Sequence, residues 1–298
     1  MDLKCLEVVC EIADNNVAEK DKAISHDPRV IRNLLALERA TIPHLDYFRL
    51  VQADLKPFMR KIVTTWMLEV CDEQHCEEQV FPLAVNYMDR FLCLCPISRQ
   101  TLQLLGTCCL LLASKIRQCH ALTVDLLCAY TDHSVTPEQI RSWELLVVST
   151  LQWNLSAVTG FDYIDHILER VPWGAENAHI RQHALTLVSV CYTETTFIQI
   201  TPSLLASACI CAATRGINSP SAPFAFGDIC RLIQIDPFDV EFTVRHIEQV
   251  VAKETAALQK QVYKAHPYAS QSTGKIPSSC AADIGQPETP TDIQDVYF

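Results

Sequence analysis

From Met59 onward the apolar positions Met59, Ile62, Val63, Trp66, Met67 and Val70 step by three and four, the spacing that gathers side chains on one face of a helix. The step recurs from Val80 to Leu92 through Phe81, Ala84, Val85, Met88 and Phe91, with Pro82 suited to a first turn. Leu102 to Ile116 is apolar almost all round, which predicts a central helix covered by others. A short helix is expected over Leu122 to Tyr130. Thr136-Pro137-Glu138-Gln139 then opens another: Thr136 caps, Pro137 takes the first helical position, and Gln139 reaches back as in a capping box. That helix should run through Trp143 and Leu146 to about Leu151. Before these, Asp27-Pro28 starts a helix through Ile31, Leu34, Leu35 and Leu37 that ends before Pro43. A long helix of mixed charge, Val240 to Tyr263, closes the patterned part and projects toward the C-terminal tail.

The second half repeats the first. Leu104-Leu105-Gly106-Thr107-Cys108-Cys109 returns as Leu204-Leu205-Ala206-Ser207-Ala208-Cys209, one hundred positions on. The register holds through Ala113-Ser114-Lys115 against Ala213-Thr214-Arg215, and through Thr136-Pro137 against Asp236-Pro237. Two central helices and two capped starts at one spacing mark a duplicated helical domain rather than a short-period solenoid. A length of 298 residues, near the limit for a single core, agrees. The expected organisation is all-α: an N-terminal segment over 1–26, a first five-helix unit with its preceding helix over 27–156, and a second five-helix unit over 157–265. A tail over 266–298 is rich in Pro, Ser, Thr, Gln and Ala. It has too little apolar surface to offset its ordering entropy and is expected to be disordered.

Composition narrows the function. The formal charge of −11 argues against nucleic acid as a partner, because phosphate neutralisation needs Lys and Arg surfaces. The longest apolar stretch is too short for a bilayer, so no membrane partner is expected. Fifteen cysteines suggest a disulfide or metal scaffold at first. Acidic residues interrupt every early apolar run, however, so no secretory signal is expected, and many of the thiols sit inside apolar helices as small hydrophobes. Cys71, His75 and Cys76 form the closest approach to zinc-ligand spacing, and core packing is the better reading of them. Neither a metal nor a cofactor is expected. No Gly-x-x-x-x-Gly-Lys, Gly-x-Ser-x-Gly or His-Glu-x-x-His occurs, so the chain is read as a non-enzyme.

The run from Met59 to Val70 resembles the opening helix of a cyclin box. Phe81 to Leu92, Leu102 to Gly106, Leu112-Ala113-Ser114-Lys115, Tyr130-Thr131-Asp132, Trp143 to Leu146 and Leu151 to Leu155 resemble the later segments of the same box. Together they are similar to D-type cyclins over essentially the whole chain. The resemblance implies two tandem cyclin boxes and a regulatory subunit that activates a cyclin-dependent kinase at the G1/S transition. It carries the kinase contact onto Lys115 and Glu144, a pair that by itself reads as an ordinary surface ion pair. It makes Met59, Ile62, Val63 and Trp66 a shallow groove for Arg-x-Leu motifs of substrates and Cip/Kip-type inhibitors, where periodicity alone reads core. Glu69 and Gln103 become its polar neighbours. Thr65 departs from relatives that carry an acid there, which bears on docking strength.

Leu3, Cys5 and Glu7 form a Leu-x-Cys-x-Glu pattern whose side chains share one side of an extended strand. The resemblance makes it a contact for a retinoblastoma-type pocket protein. Thr289, ahead of Pro290, becomes a phosphorylation site read by a ubiquitin ligase. The implied localisation is nucleus and cytoplasm. Competing readings are a cyclin-fold adaptor and a transcription-linked cyclin; a DNA-binding relative of the fold would need a basic face that −11 does not supply.

Overall fold

Local chemistry sets the helix starts. Asp27 Oδ1 accepts from Arg29 N at 2.8 Å and opens α1, Pro28–Glu38. At Thr136 the capping box closes in both directions, with Gln139 N donating to Thr136 Oγ1 at 3.3 Å and Thr136 N to Gln139 Oε1 at 2.9 Å. Thr123, Thr201 and Asp236 accept from backbone N–H groups two or three residues on. Each supplies a partner to donors that the first helical turn leaves unpaired.

The computed structural model describes residues 21, 23, 27–43, 46–174 and 178–265. Leu3, Cys5, Glu7, Thr289 and the expected disordered tail lie outside them. All regular structure among the described residues is helical. After α1 and the short α2, Tyr47–Leu50, come α3, Pro57–Glu73; α4, Val80–Leu94; α5, Leu102–Arg117; α6, Val124–Tyr130; and α7, Pro137–Thr150. A second set of five comes next: α8, Gly160–Leu168; α9, Ala178–Thr193; α10, Pro202–Gly216; α11, Ala222–Ile233; and α12, Pro237–Ala265. The long last helix begins three residues earlier than the apolar pattern alone places it, because Asp236 and Pro237 nucleate it.

Each set surrounds its own core. In the first, α5 is the axis: Leu102 and every residue from Leu104 to Ser114 are buried. In the second, α10 takes that place, and the residues from Leu205 to Thr214 are buried. Cysteines serve both cores as small apolar groups, with Cys108, Cys109 and Cys209 fully covered. Burial pushes the Cys109 and Cys209 thiols well up and Cys211 to about 12, which keeps them protonated. Although α1 precedes the first bundle in the chain, its Ile31, Leu34 and Leu35 pack on the second core. Its buried Glu38 carboxylate accepts from Ser203 N at 2.9 Å and Ser203 Oγ at 2.8 Å, so an anion sits at the N-terminus of α10.

The two bundles meet through a buried charge. Arg60 on α3 is 2 % exposed and engages Asp89 of α4 twice, Nε to Oδ1 at 2.8 Å and Nη2 to Oδ2 at 2.7 Å. Tyr47 on α2 donates to the same carboxylate at 2.8 Å. The remaining guanidinium donors reach Tyr192 O at 3.1 Å and Thr193 O at 3.0 Å, at the C-terminal end of α9 in the other bundle. A cation at a helix C-terminus meets the negative end of the macrodipole. At the rim of the joint, Lys61 pairs with Glu194 and, at 2.7 Å, with Glu254.

Removing one member of a buried pair strands the other charge, at a cost of about 3–5 kcal/mol. Arg60→Met or Asp89→Leu is therefore expected to lower unfolding stability by roughly that amount in chemical denaturation. Arg60→Met combined with Asp89→Leu should recover much of the loss. Single variants as stable as wild type would remove the pair from its central place.

Candidate functional site

Lys115 lies in the last turn of α5, where a cation is favoured by the helix dipole. Its Nζ meets Glu144 Oε1 of α7 at 2.5 Å, with the side chains 46 % and 22 % exposed. Glu144 stands four residues after buried Ile140 and four before buried Val148, on the side of α7 that faces the core. Its negative charge adds to burial in pushing the nearby Cys108 thiol up to about 12. Next to the pair in the chain, Ile116 is 50 % exposed, Leu145 62 % and Leu146 43 %.

The expected docking stripe lies on α3. Met59, Val63 and Trp66 are partly buried against the first core, Ile62 is exposed at 44 %, and Glu69 is exposed. The stripe is thus neither fully core nor fully surface, and its exposed edges line a shallow strip. Gly106 explains how close α5 comes: a Cβ there would lie 2.9 Å from Val63 Cγ1 and 3.2 Å from Met67 Sδ. That close approach sets half-buried Gln103, three residues earlier on α5, beside the stripe. Glu69 has no ion-pair partner among the described residues; partial burial, with help from Asp72, holds its carboxyl above its ordinary value. Among the described residues no cluster of three or more His, Cys, Asp or Glu side chains is placed to hold a metal ion. No described helix is long and apolar enough to cross a membrane.

The family model for the cyclin N-terminal domain matches residues 29–156, and that for the cyclin C-terminal domain matches residues 158–281. The chain is 41% identical over 295 residues to G1/S-specific cyclin-D1 of Mus musculus, covering 96% of this chain and 97% of the relative. It is 38% identical over 303 residues to G1/S-specific cyclin-D2 of Gallus gallus, covering 99% of each. The chain belongs to the D-type cyclins. A viral cyclin from herpesvirus saimiri shares the fold, with a TM-score of 0.67 and 24% identity over 75% of this chain and 97% of that one. Cyclins are non-catalytic regulatory subunits of kinases, and this cyclin is one.

Within the cyclin, Lys115 and Glu144 are brought together, while Met59, Val63 and Trp66 of the α3 stripe pack partly buried on the core of the same bundle. Sequence reasoning missed the exposure of Ile116, Leu145 and Leu146 and the Arg60–Asp89 joint. The signal for the joint was present as two charged residues inside apolar helix faces, Arg60 beside Met59 and Asp89 between Met88 and Phe91.

An exposed ion pair contributes roughly 0–1 kcal/mol to folding. Lys115→Ala is therefore expected to shift stability by less than about 1 kcal/mol in chemical denaturation. A larger loss would make the pair part of the scaffold rather than of a surface held ready for a partner.

Proposed function

We infer that this cyclin binds and activates a cyclin-dependent kinase of the D-cyclin class and promotes the G1/S transition by directing phosphorylation of retinoblastoma-type pocket proteins. The observation that carries the reading is the part-exposed Lys115–Glu144 pair between α5 and α7, in a chain alike from end to end to G1/S-specific cyclins. The chemistry is simple. A cation and a carboxylate side by side offer a donor and an acceptor to a partner's backbone, while Ile116, Leu145 and Leu146 supply area. Because their mutual attraction is weak in water, the two groups can exchange partners at little cost. A kinase helix held there is pressed inward, which sets the kinase's own Lys–Glu pair for phosphoryl transfer. The catalytic groups are all the kinase's.

The α3 strip with Glu69 and Gln103 docks Arg-x-Leu motifs of substrates and Cip/Kip-type inhibitors, the arginine meeting Glu69. Leu3, Cys5 and Glu7 contact the pocket protein in extended form. Phosphorylated Thr289 presents a dianion to a ubiquitin ligase and limits the protein's level. The protein works in nucleus and cytoplasm.

The test is a reconstituted assay with a D-cyclin-dependent kinase, a retinoblastoma fragment and this protein. Wild type should stimulate phosphorylation, and folded Lys115→Glu should lose most of that stimulation by opposing Glu144 and the partner alike. Binding without stimulation would make the protein a cyclin-fold adaptor. Failure with this kinase but activation of a transcription-linked one would move it to that branch.

The docking strip carries its own pH signature. In the free protein Glu69 titrates above the ordinary carboxylate value of about 4.3. A bound arginine favours the charged form and lowers that titration point, so binding is coupled to loss of a proton. Affinity for an Arg-x-Leu peptide should be full near neutral pH and fall as the pH drops through the free-state titration point. Glu69→Gln should bind more weakly and without that dependence. Calorimetric titration showing a pH-independent wild type would contradict the Glu69 contact.

A further inference from the structure

Helix α3 ends in a turn that brings two thiols together. His75 N donates to Asp72 O at 3.2 Å and Cys76 N to Cys71 O at 2.9 Å, around His75 at φ 48°. A five-to-two and a six-to-one bond about a left-handed residue make a Schellman motif, which sets the side chain just past the turn against one in the last helical turn. Those two side chains are Cys76 and Cys71, so the turn itself sets the two thiols against each other. Neither is in a disulfide.

A contact at this position is ordinarily a small apolar seal, and two reduced thiols fill that role. This pair has a further asymmetry. Cys71 is buried and Cys76 is half-exposed. Hydrogen bonds from Cys71 and then Gln118 hold the Cys76 thiol below its ordinary value, whereas the hydrogen bond to Cys76 and burial push Cys71 up. The buried thiols Cys108 and Cys109 are pushed up as well. Reactivity toward peroxide follows thiolate character and access, and a sensor thiol needs a second thiol within reach to resolve it. Cys76 and Cys71 meet those two requirements in one turn.

We propose that Cys71 and Cys76 form a peroxide-responsive dithiol that closes to a disulfide at the end of α3. The Cys76 thiolate attacks one oxygen of a hydroperoxide; an S–O bond forms as the O–O bond breaks, and the departing oxygen takes a proton. The Cys71 sulfur then attacks the sulfenic sulfur of Cys76. An S–S bond forms, the S–O bond breaks, and the Cys71 proton leaves with the second oxygen as water. The dithiol loses two electrons and the peroxide gains them. The site lies near the end of α5: Gln118, whose Oε1 accepts from Glu77 N at 3.3 Å, directly follows that helix, three residues after Lys115.

The test uses the full-length reduced protein and graded hydrogen peroxide, then thiol alkylation under denaturing conditions and tryptic mapping. Lys61 and Arg90 bound one peptide that holds both cysteines. Its disulfide form is lighter by two hydrogens and takes no label until treated with dithiothreitol. The expected result is loss of label from Cys71 and Cys76 in the same dose range, while Cys108 and Cys209 remain labelled. Cys71→Ser should leave Cys76 as a sulfenic acid captured by dimedone, and Cys76→Ser should leave Cys71 a free thiol. The proposal fails if both thiols survive doses that oxidise the exposed Cys119, or if Cys76 instead pairs with another cysteine.

Discussion

The architecture depends on one buried guanidinium. Arg60 is held by Asp89 within its own bundle and by the carbonyls of Tyr192 and Thr193 in the other, with Tyr47 completing the carboxylate's partners. A buried ion pair carries a desolvation penalty that can cancel its attraction, so its role is best sought in specificity. Hydrophobic burial is non-directional and leaves the relative placement of two cores loosely defined. A planar cation with fixed donors in both bundles admits few alternatives. Lys61, Glu194 and Glu254 reinforce the same joint at its solvent edge, where each bond is worth less.

The surface pair Lys115–Glu144 follows the opposite logic. It contributes little to stability because water competes for both groups, and that is what makes it available. The scaffold beneath it is packed: α5 is buried from Leu104 to Ser114, and Ser114 Oγ bonds Leu111 O and Leu122 N, fixing the chain on either side of Lys115. A labile pair on a packed base can take a partner without reorganising the fold. The exposed Ile116, Leu145 and Leu146 then supply area whose desolvation favours association.

Much of this was readable in the sequence where local rules dominate. The capping box at Thr136, the all-round apolar run of α5 and the hundred-residue repeat follow from spacing alone, and each is where the pattern places it. The helices over Gly160–Leu168, Ala178–Thr193 and Ala222–Ile233 were not placed individually. The first and last span few turns, and the opening turns of α9 carry His179, Arg181, Gln182 and His183, which blur its stripe. Long-range facts were harder still. Nothing local tells that α1 packs on the second core or that Arg60 reaches residues 192 and 193. The α3 stripe shows the limit of periodicity: core and groove share one spacing, and only packing distinguishes half-buried Met59 and Trp66 from fully buried Met67.

The central claim is that the C-terminal end of α5 and the adjoining face of α7 receive the kinase. Hydrogen–deuterium exchange of this cyclin with and without a D-cyclin-dependent kinase tests it most directly. The account predicts added protection in peptides around Lys115 and around Glu144 to Leu146, with α11 and the middle of α12 unchanged. Protection confined to the second bundle, with the α5 and α7 peptides exchanging as in the free protein, would contradict it.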